Sequence, residues 1–343
     1  LYTQTLGAIQ ADRPPDVVAD YETWAAEYYE QGALLPLDAY VKSGRYGLSQ
    51  RELDDYIPTF MASTRFPQYG KKTLTFPFNK SGYLLYVNLD VMRSLGFQKP
   101  AATWAELLNQ CAIAVSRTRL CINYPNDASI FTNMVYSFGG EAMDEVGHSL
   151  LNGTAVTQTL QVYERLIKEK LAYTATNQRA EFAKGNALYY VDSSSPLPDI
   201  GRTFDRNGVQ WDAALMPLGA PTNKPATVLV GTSLSMMRPQ EGSKDLNLED
   251  EARRRLAAWL FIKFFTSPSI TARWGLDDSN GYFPVRTSIL DDPANVAALK
   301  SQPQFSQAFD FARSSGRAEP NAYGWQDIRL SISAALNDIA ARK

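Results

Sequence analysis

Short strand-like runs and helix-like runs alternate along this chain, and that alternation constrains its fold more than any other feature. It is clearest around residues 74–116. Residues 74–76 and 83–87, the latter Tyr83-Leu84-Leu85-Tyr86-Val87, are rich in β-formers. Thr103-Trp104-Ala105-Glu106 then has the spacing of a capping box, in which the Thr103 oxygen takes the amide of Glu106 and the Glu106 carboxylate reaches back. Leu107, Leu108, Cys111, Ala114 and Val115 follow at helical spacing. Further strands are predicted at 16–19, 120–124, 187–191 and 211–216, and a long one at 226–237 breaks in character at Gly231. Helices are predicted at 21–31, stopped by Gly32, and at 129–138, closed by Gly139-Gly140. Another spans 154–171, opened at Asn152 or Gly153, with Val156, Leu160, Tyr163, Ile167 and Leu171 on one side. A short helix closes at 181–185, one capped at Asn247 runs to about Thr266, and Pro268 opens the next. The last, 325–341, carries Ile328, Ile332, Leu336 and Ile339. The pattern predicts an α/β fold with mainly parallel sheets.

At 343 residues the chain has room for about two domains. Its 34 basic and 36 acidic residues nearly cancel, so no basic excess points to nucleic acid or to a membrane surface. No run reaches the ~18 apolar residues of a membrane span. One histidine, His148, sits in the polar stretch Asp144-Glu145-Val146-Gly147-His148-Ser149 and reads as a solvated loop residue, which leaves no His-based metal site or serine triad. Cys111 and Cys121 lack metal-type spacing and read as two buried thiols, with a disulfide as the alternative in an oxidising compartment. No cofactor or metal is called for.

Several segments, in order, carry a family likeness. They are Pro14-Pro15-Asp16-Val17-Val18, the run Phe76-Pro77-Phe78-Asn79-Lys80-Ser81-Gly82-Tyr83, Phe182-Ala183-Lys184-Gly185-Asn186-Ala187-Leu188 and Leu229-Val230-Gly231-Thr232-Ser233-Leu234. Ala257-Ala258-Trp259-Leu260-Phe261-Ile262-Lys263-Phe264-Phe265 and Asn280-Gly281-Tyr282-Phe283-Pro284-Val285-Arg286 complete the set. Together they resemble the solute-binding subunits of bacterial ABC importers, in the large group that takes sugars and glycerol-3-phosphate. The resemblance covers nearly the whole chain. It implies a two-lobe periplasmic-binding-protein fold of the maltodextrin-binding type (type II), hinged between lobes that close on a ligand. It also implies a strand-helix-strand unit ahead of the Pro-Asp segment, which is absent from this sequence. Crossings between lobes are expected near Gly82, Gly231 and Phe283, giving lobe one as 1–82 plus 231–283 and lobe two as 83–230 plus 284–343.

The resemblance places ligand contacts at Tyr21 and Trp24 after the first strand and at Ser81 before the first crossing. Lys80, beside Ser81, reads as a solvated turn residue. Asp192 and Ser194 follow a strand and precede a helix opened by Pro196, where hydroxyls and free amides favour a polar ligand. Gly231 allows close backbone approach. Tyr282 lies in the hinge segment, and Tyr323 and Trp325 precede the last helix, where related sugar binders stack an aromatic ring. Aligned on Ile328-Arg329, the position of a phosphate-gripping arginine in glycerol-3-phosphate binders holds Asn321, and Ser43 replaces an acidic contact. Both departures favour a neutral saccharide or polyol over a phosphate.

The expected function is therefore a non-enzymatic, monomeric receptor in the periplasm or lipid-anchored at the bacterial cell surface. It would deliver a saccharide or polyol to ABC permease transmembrane subunits. The alternatives are a glycerol-3-phosphate or glycerophosphodiester receptor and, from other classes, a cytosolic regulatory module or a carbohydrate-active α/β enzyme. For the enzyme Asp192, Asp277 and Asp278 are available, but no spacing pairs them.

Overall fold

The computed structural model describes residues 1–175, 177–238, 248–277 and 280–341. Asn247, the expected helix cap, and Asp278 lie outside the described residues. Two sheets dominate. In the first, strand Ser233–Met237 is central: Val17–Asp20 pairs along one edge, and Leu34–Leu35 and Thr75–Pro77 pair with it as well. In the second, strand Ser81–Asn88 pairs with Trp211–Ala214, with Tyr189–Ser193 and, at its first two residues, with Thr227–Val230. Gly316–Ala318 lies parallel to Thr227–Val230.

The expectation of mainly parallel sheets is corrected: most ladders are antiparallel. Two pieces of chain account for these ladders: strand Ser81–Asn88, which runs against Trp211–Ala214 and Tyr189–Ser193, and the return from residue 227 to 237. The predicted strand 226–237 is two strands, Thr227–Val230 in the second sheet and Ser233–Met237 in the first. It runs back between the sheets, antiparallel to all its partners except Gly316–Ala318. It turns at Gly231, whose φ of +99° suits glycine. A Cβ there would sit 1.9 Å from the Asn79 carbonyl oxygen.

Strand Ser81–Asn88 is buried on both faces, so its side chains feed two cores in alternation. Tyr83, Leu85 and Val87 join a core with Trp104, Leu107 and Trp325. Leu84 and Tyr86 join another with Phe76, Trp259 and Phe283. Helix Thr154–Lys168 buries Val156, Thr159, Val162, Tyr163 and Leu166 and exposes Leu160, so its inner stripe is turned from the predicted one. Thr103 caps helix Trp104–Ser116 as expected, although Glu106 reaches back to the Ala102 amide instead.

Cys111 and Cys121 are joined in a disulfide, which corrects the reading of two free thiols. Two residues past the helix end, Thr118 takes a left-handed turn that folds the chain back and brings the two Cα atoms to 5.1 Å, within bonding reach.

The segment after Phe283 packs on elements of the first half of the chain. Ile57 N donates to Val285 O at 3.0 Å, and Thr287 N to Asp55 O at 2.7 Å. The buried Arg286 lies over the Tyr56 ring at 3.4 Å and donates to Thr266 O, Glu52 O and the Tyr56 hydroxyl.

Candidate functional site

Between the two sheets lies a cavity of about 270 Å³. Its aromatic wall starts where strand Val17–Asp20 ends. Tyr21 keeps an extended backbone at the N-cap of helix Glu22–Glu30, and Trp24 comes one turn on. The two rings meet edge-on, 4.6 Å between centroids. Burial, with Tyr282 close by, pushes the Tyr21 hydroxyl above its ordinary range, so it stays a protonated donor. Tyr282, Ser81 and Gly231 line the same cavity, so five of the residues singled out in the sequence converge on it.

The opposite wall holds a polar network that the sequence did not reveal. Asp127 caps helix Ala128–Ser137, its Oδ1 accepting from the amides of Ser129 and Ile130 at 2.8 and 3.3 Å. The same oxygen accepts from the Tyr83 hydroxyl at 2.9 Å. Ser129 Oγ donates to Glu319 Oε2 at 2.9 Å and accepts from Arg329 Nη1 at 2.7 Å. Arg329 also donates to both oxygens of Glu319. This pair is 11% exposed on the acid and 21% on the base. Burial pushes the Glu319 carboxyl up against the pull of Arg329. Burial opposes the Arg329 charge too, but Glu319 and Asp127 outweigh it and hold that group above its ordinary value.

Behind the aromatic wall, Lys80 is 1% exposed and ion-paired with Glu22, not a solvated turn residue. Ser233 Oγ donates to the same Glu22 oxygen at 2.6 Å. Extended backbone at 81–88 turns Lys80 inward at the end of the strand, and only a carboxylate from helix Glu22–Glu30 makes that position tolerable. Asp20, fully buried, accepts from Ser235 Oγ at 2.9 Å, while its Oδ2 has no hydrogen-bond partner among the described residues. Burial pushes its carboxyl well above the ordinary 3.8.

Four expected contacts lie elsewhere. Asp192 accepts from the Tyr190 hydroxyl at 2.7 Å and pairs with Arg179 at 3.4 Å, away from the cavity. Ser194 is buried and donates to the Gly281 carbonyl at 2.7 Å, a backbone tie in place of a ligand contact. Tyr323 is 61% exposed and does not line the cavity. Trp325 is fully buried in the core with Ile332 and Leu336, because it occupies the first position of the apolar stripe of helix Trp325–Ala341. Asn321 donates to the carbonyls of Ser63 and Arg65, linking segments on either side of the cleft. Of the carboxylates set aside for an enzyme, Asp277 lines a surface groove with Arg273 and Asp292.

Asp127 had a usable signal. It stands between a predicted strand and a predicted helix start, the place where open α/β sheets bind ligands. Glu319 and Arg329 had none, since the partners Ser129 and Glu319 are set by the fold and lie far apart in sequence.

Comparison with known proteins gives one consistent answer. The chain is 22% identical to a maltotriose-binding protein of Pyrococcus abyssi over 96% of its own length and 68% of that protein's. It is 22% identical to the sn-glycerol-3-phosphate-binding periplasmic protein UgpB of Brucella abortus, over 85% of this chain and 67% of the relative. Among solved structures, UgpB from Mycobacterium tuberculosis in complex with glycerophosphocholine superposes with a TM-score of 0.80 at 24% identity, covering 99% of this chain and 82% of that one. The GacH receptor of Streptomyces glaucescens follows the same course at a TM-score of 0.77 and 22% identity, again over 99% and 82%. The architecture is therefore the two-lobe α/β fold of maltose-binding-like proteins. With residues 1–306 matched by the family model, the chain belongs to the bacterial extracellular solute-binding proteins.

Proposed function

We propose that this protein captures a neutral saccharide or polyol between its lobes and delivers it to the permease of an ABC importer. The observation that carries the reading is the composition of the cavity wall. Aromatic faces from Tyr21, Trp24 and Tyr282 stand opposite fixed acceptors and donors from Asp127, Ser129, Glu319 and Arg329. Ring faces suit the C–H side of a sugar, and carboxylates held in place by other donors suit its hydroxyls. Asp127 and Glu319 are tied by several donors each, which fits them as acceptors better than as proton carriers.

The same wall argues against a phosphate. Glu22, Asp127 and Glu319 line it with Arg329, which is already committed to Glu319. Lys80, just behind, is committed to Glu22. A phosphate dianion would meet three carboxylates with both neighbouring cations engaged. Ligand identities therefore pass to this chain from relatives such as the maltotriose binder sooner than from the glycerol-3-phosphate binders.

The mechanism is a population shift. A ligand touching both walls binds the closed arrangement better than the open one and stabilises it by that difference. Lobe one is read as 1–82 plus the return from 231, with one amendment to the expected boundaries. Residues 284–292 belong with lobe one because of their contacts to 52–57, which moves the last crossing beyond 292 and ahead of helix Pro303–Ser315, which packs on the second sheet. The protein works as a monomer outside the cytoplasm, in the periplasm or on a lipid anchor.

A thermal-shift panel of neutral sugars, polyols, glycerol-3-phosphate and glycerophosphodiesters tests the proposal. A ligand at a thousand times its Kd adds about 4 kcal/mol to the folded state. Stabilisation by a neutral sugar or polyol, lost in Asp127→Asn, is expected. Stabilisation by phosphates alone would overturn it.

A further inference from the structure

Direct ties across the cleft surround the cavity. On the hinge side Ser194 Oγ donates to the Gly281 carbonyl at 2.7 Å. The two backbones meet there so closely that a Cβ on Gly281 would sit 1.8 Å from the Ser194 carbonyl oxygen. On another side Trp24 Nε1 donates to Gln326 Oε1 at 3.3 Å, and both residues line the cavity. One turn past Trp24, Glu27 Oε1 accepts from the Gly324 amide at 2.9 Å, so the start of the last helix is bound to helix Glu22–Glu30 twice over.

Beyond Glu319 the tie is Asn321. An asparagine amide has two N–H donors. Asn321 Nδ2 spends them on the carbonyls of Ser63, at 3.3 Å, and Arg65, while the Asn321 backbone carbonyl accepts from Gln68 Nε2 at 2.6 Å. Ser63 lines the cavity, whereas Asn321 and Gln68 line a separate space of about 490 Å³. The bonds between them therefore stand as a partition. The position that alignment on Ile328-Arg329 assigns to a phosphate-gripping arginine is occupied here by a short amide that spans the cleft. On the cavity side of the partition the space is about 270 Å³, just below the roughly 300–1,000 Å³ of sites that enclose a drug-sized molecule.

We infer that Asn321 is a specificity-determining residue that limits the size of the solute to a single sugar ring or a polyol of similar length. A second ring on that side would have to break the bonds from Asn321 to Ser63 and Arg65, and the closed arrangement would lose them in exchange for the new contacts. This inference rests on the saccharide reading above and adds an upper bound on ligand size to it. The saccharide chemistry of the relatives carries over to this chain, but the length of their ligands does not.

The test is a calorimetric titration with glucose, galactose, xylose and ribitol as single units, and with maltose, cellobiose and lactose as two-ring sugars. In wild type the best single unit is expected to bind at least tenfold more tightly than any two-ring sugar. Asn321→Ala should shrink that ratio at least fivefold. The ratio is the readout because the variant also loses closing bonds, which weakens every ligand together. Gln68→Ala leaves the Asn321 side chain in place and frees only its backbone carbonyl, so it should move the ratio the same way by less. It also serves should Asn321→Ala not fold. A two-ring sugar binding wild type as tightly as the best single unit, or a ratio unchanged in both variants, would overturn the inference and leave the receptor reading standing. Binding of glycerophosphodiesters alone would overturn both.

Discussion

Replacing Lys80 with methionine should destabilise the protein far more than a surface lysine would. The side chain is 1% exposed and its charge is met by Glu22, which is itself 12% exposed. Methionine keeps the packing of the aliphatic stem but leaves Glu22 without its cation, next to the buried Asp20. Breaking a buried pair by removing one partner costs about 3–5 kcal/mol. With an unfolding entropy of about 2.1 cal/mol/K per residue, a chain of 343 residues loses roughly 1.4 °C of Tm per kcal/mol, so the expected fall is about 4–7 °C. The companion variant Glu22→Gln retains an oxygen for Ser233 and should recover much of the loss when combined with Lys80→Met. Differential scanning calorimetry on wild type, both single variants and the double closes the cycle. A coupling of at least 1 kcal/mol is expected, since the groups touch. A Lys80→Met variant melting within about 1 °C of wild type, or a cycle that closes additively, would refute the account of Lys80 as half of a buried ion pair.

Asp20→Asn tests the buried carboxyl. Its pKa is raised by burial, so its contribution to stability is fully present below the unfolded value near 3.8 and is lost as pH rises through the folded value. The variant should therefore gain on wild type in urea midpoint as pH is taken from 4 to 7, and an opposite slope would contradict the reading. Replacing both Cys111 and Cys121 with alanine opens a loop with a sequence separation of 10, worth about 3 kcal/mol by chain entropy, and calorimetry should show a fall of about 4 °C. Trp325→Ala should lower stability by about 3–5 kcal/mol, because the ring is fully buried. Its Kd for a bound sugar, measured on the folded fraction, should stay within a factor of about two.

The order of elements was legible because hydrophobic periodicity and capping are local. The capping at Thr103, the break at Gly231 and the apolar stripe of 325–341 all rest on residues within a few positions of one another. Trp325 shows that the same local signal outweighs analogy. It precedes Ile328, Ile332 and Leu336 at helical spacing and packs with that stripe, whereas the sequence reading followed the likeness to sugar binders and put the ring in the ligand site. Lys80 and the cysteines failed for the opposite reason. What decides their state is a partner brought by the fold, 58 residues away for Lys80, and a left-handed turn at Thr118 for the disulfide.

The candidate site divides along the same line. Tyr21, Ser81 and Gly231 lie where a strand ends or crosses between sheets, positions that the family resemblance marked once the strands were found. The charged wall opposite is assembled from three distant stretches. Asp127 starts a helix in the second lobe, Glu319 follows the strand Gly316–Ala318, and Arg329 lies one turn into the last helix. Neither Glu319 nor Arg329 is marked as a ligand group by its neighbours in sequence, and Asp127 is marked only by its place between a strand and a helix start. Their meaning arises only when Ser129 stands between Glu319 and Arg329 and the Asp127 carboxylate is turned by helix amides. Net charge at the cavity, and with it the choice between a sugar and a phosphate, is therefore a property of tertiary contacts. A single arginine in this wall is not an anion site when its nearest carboxylate already holds it, which is why counting arginines along the sequence cannot decide the ligand class.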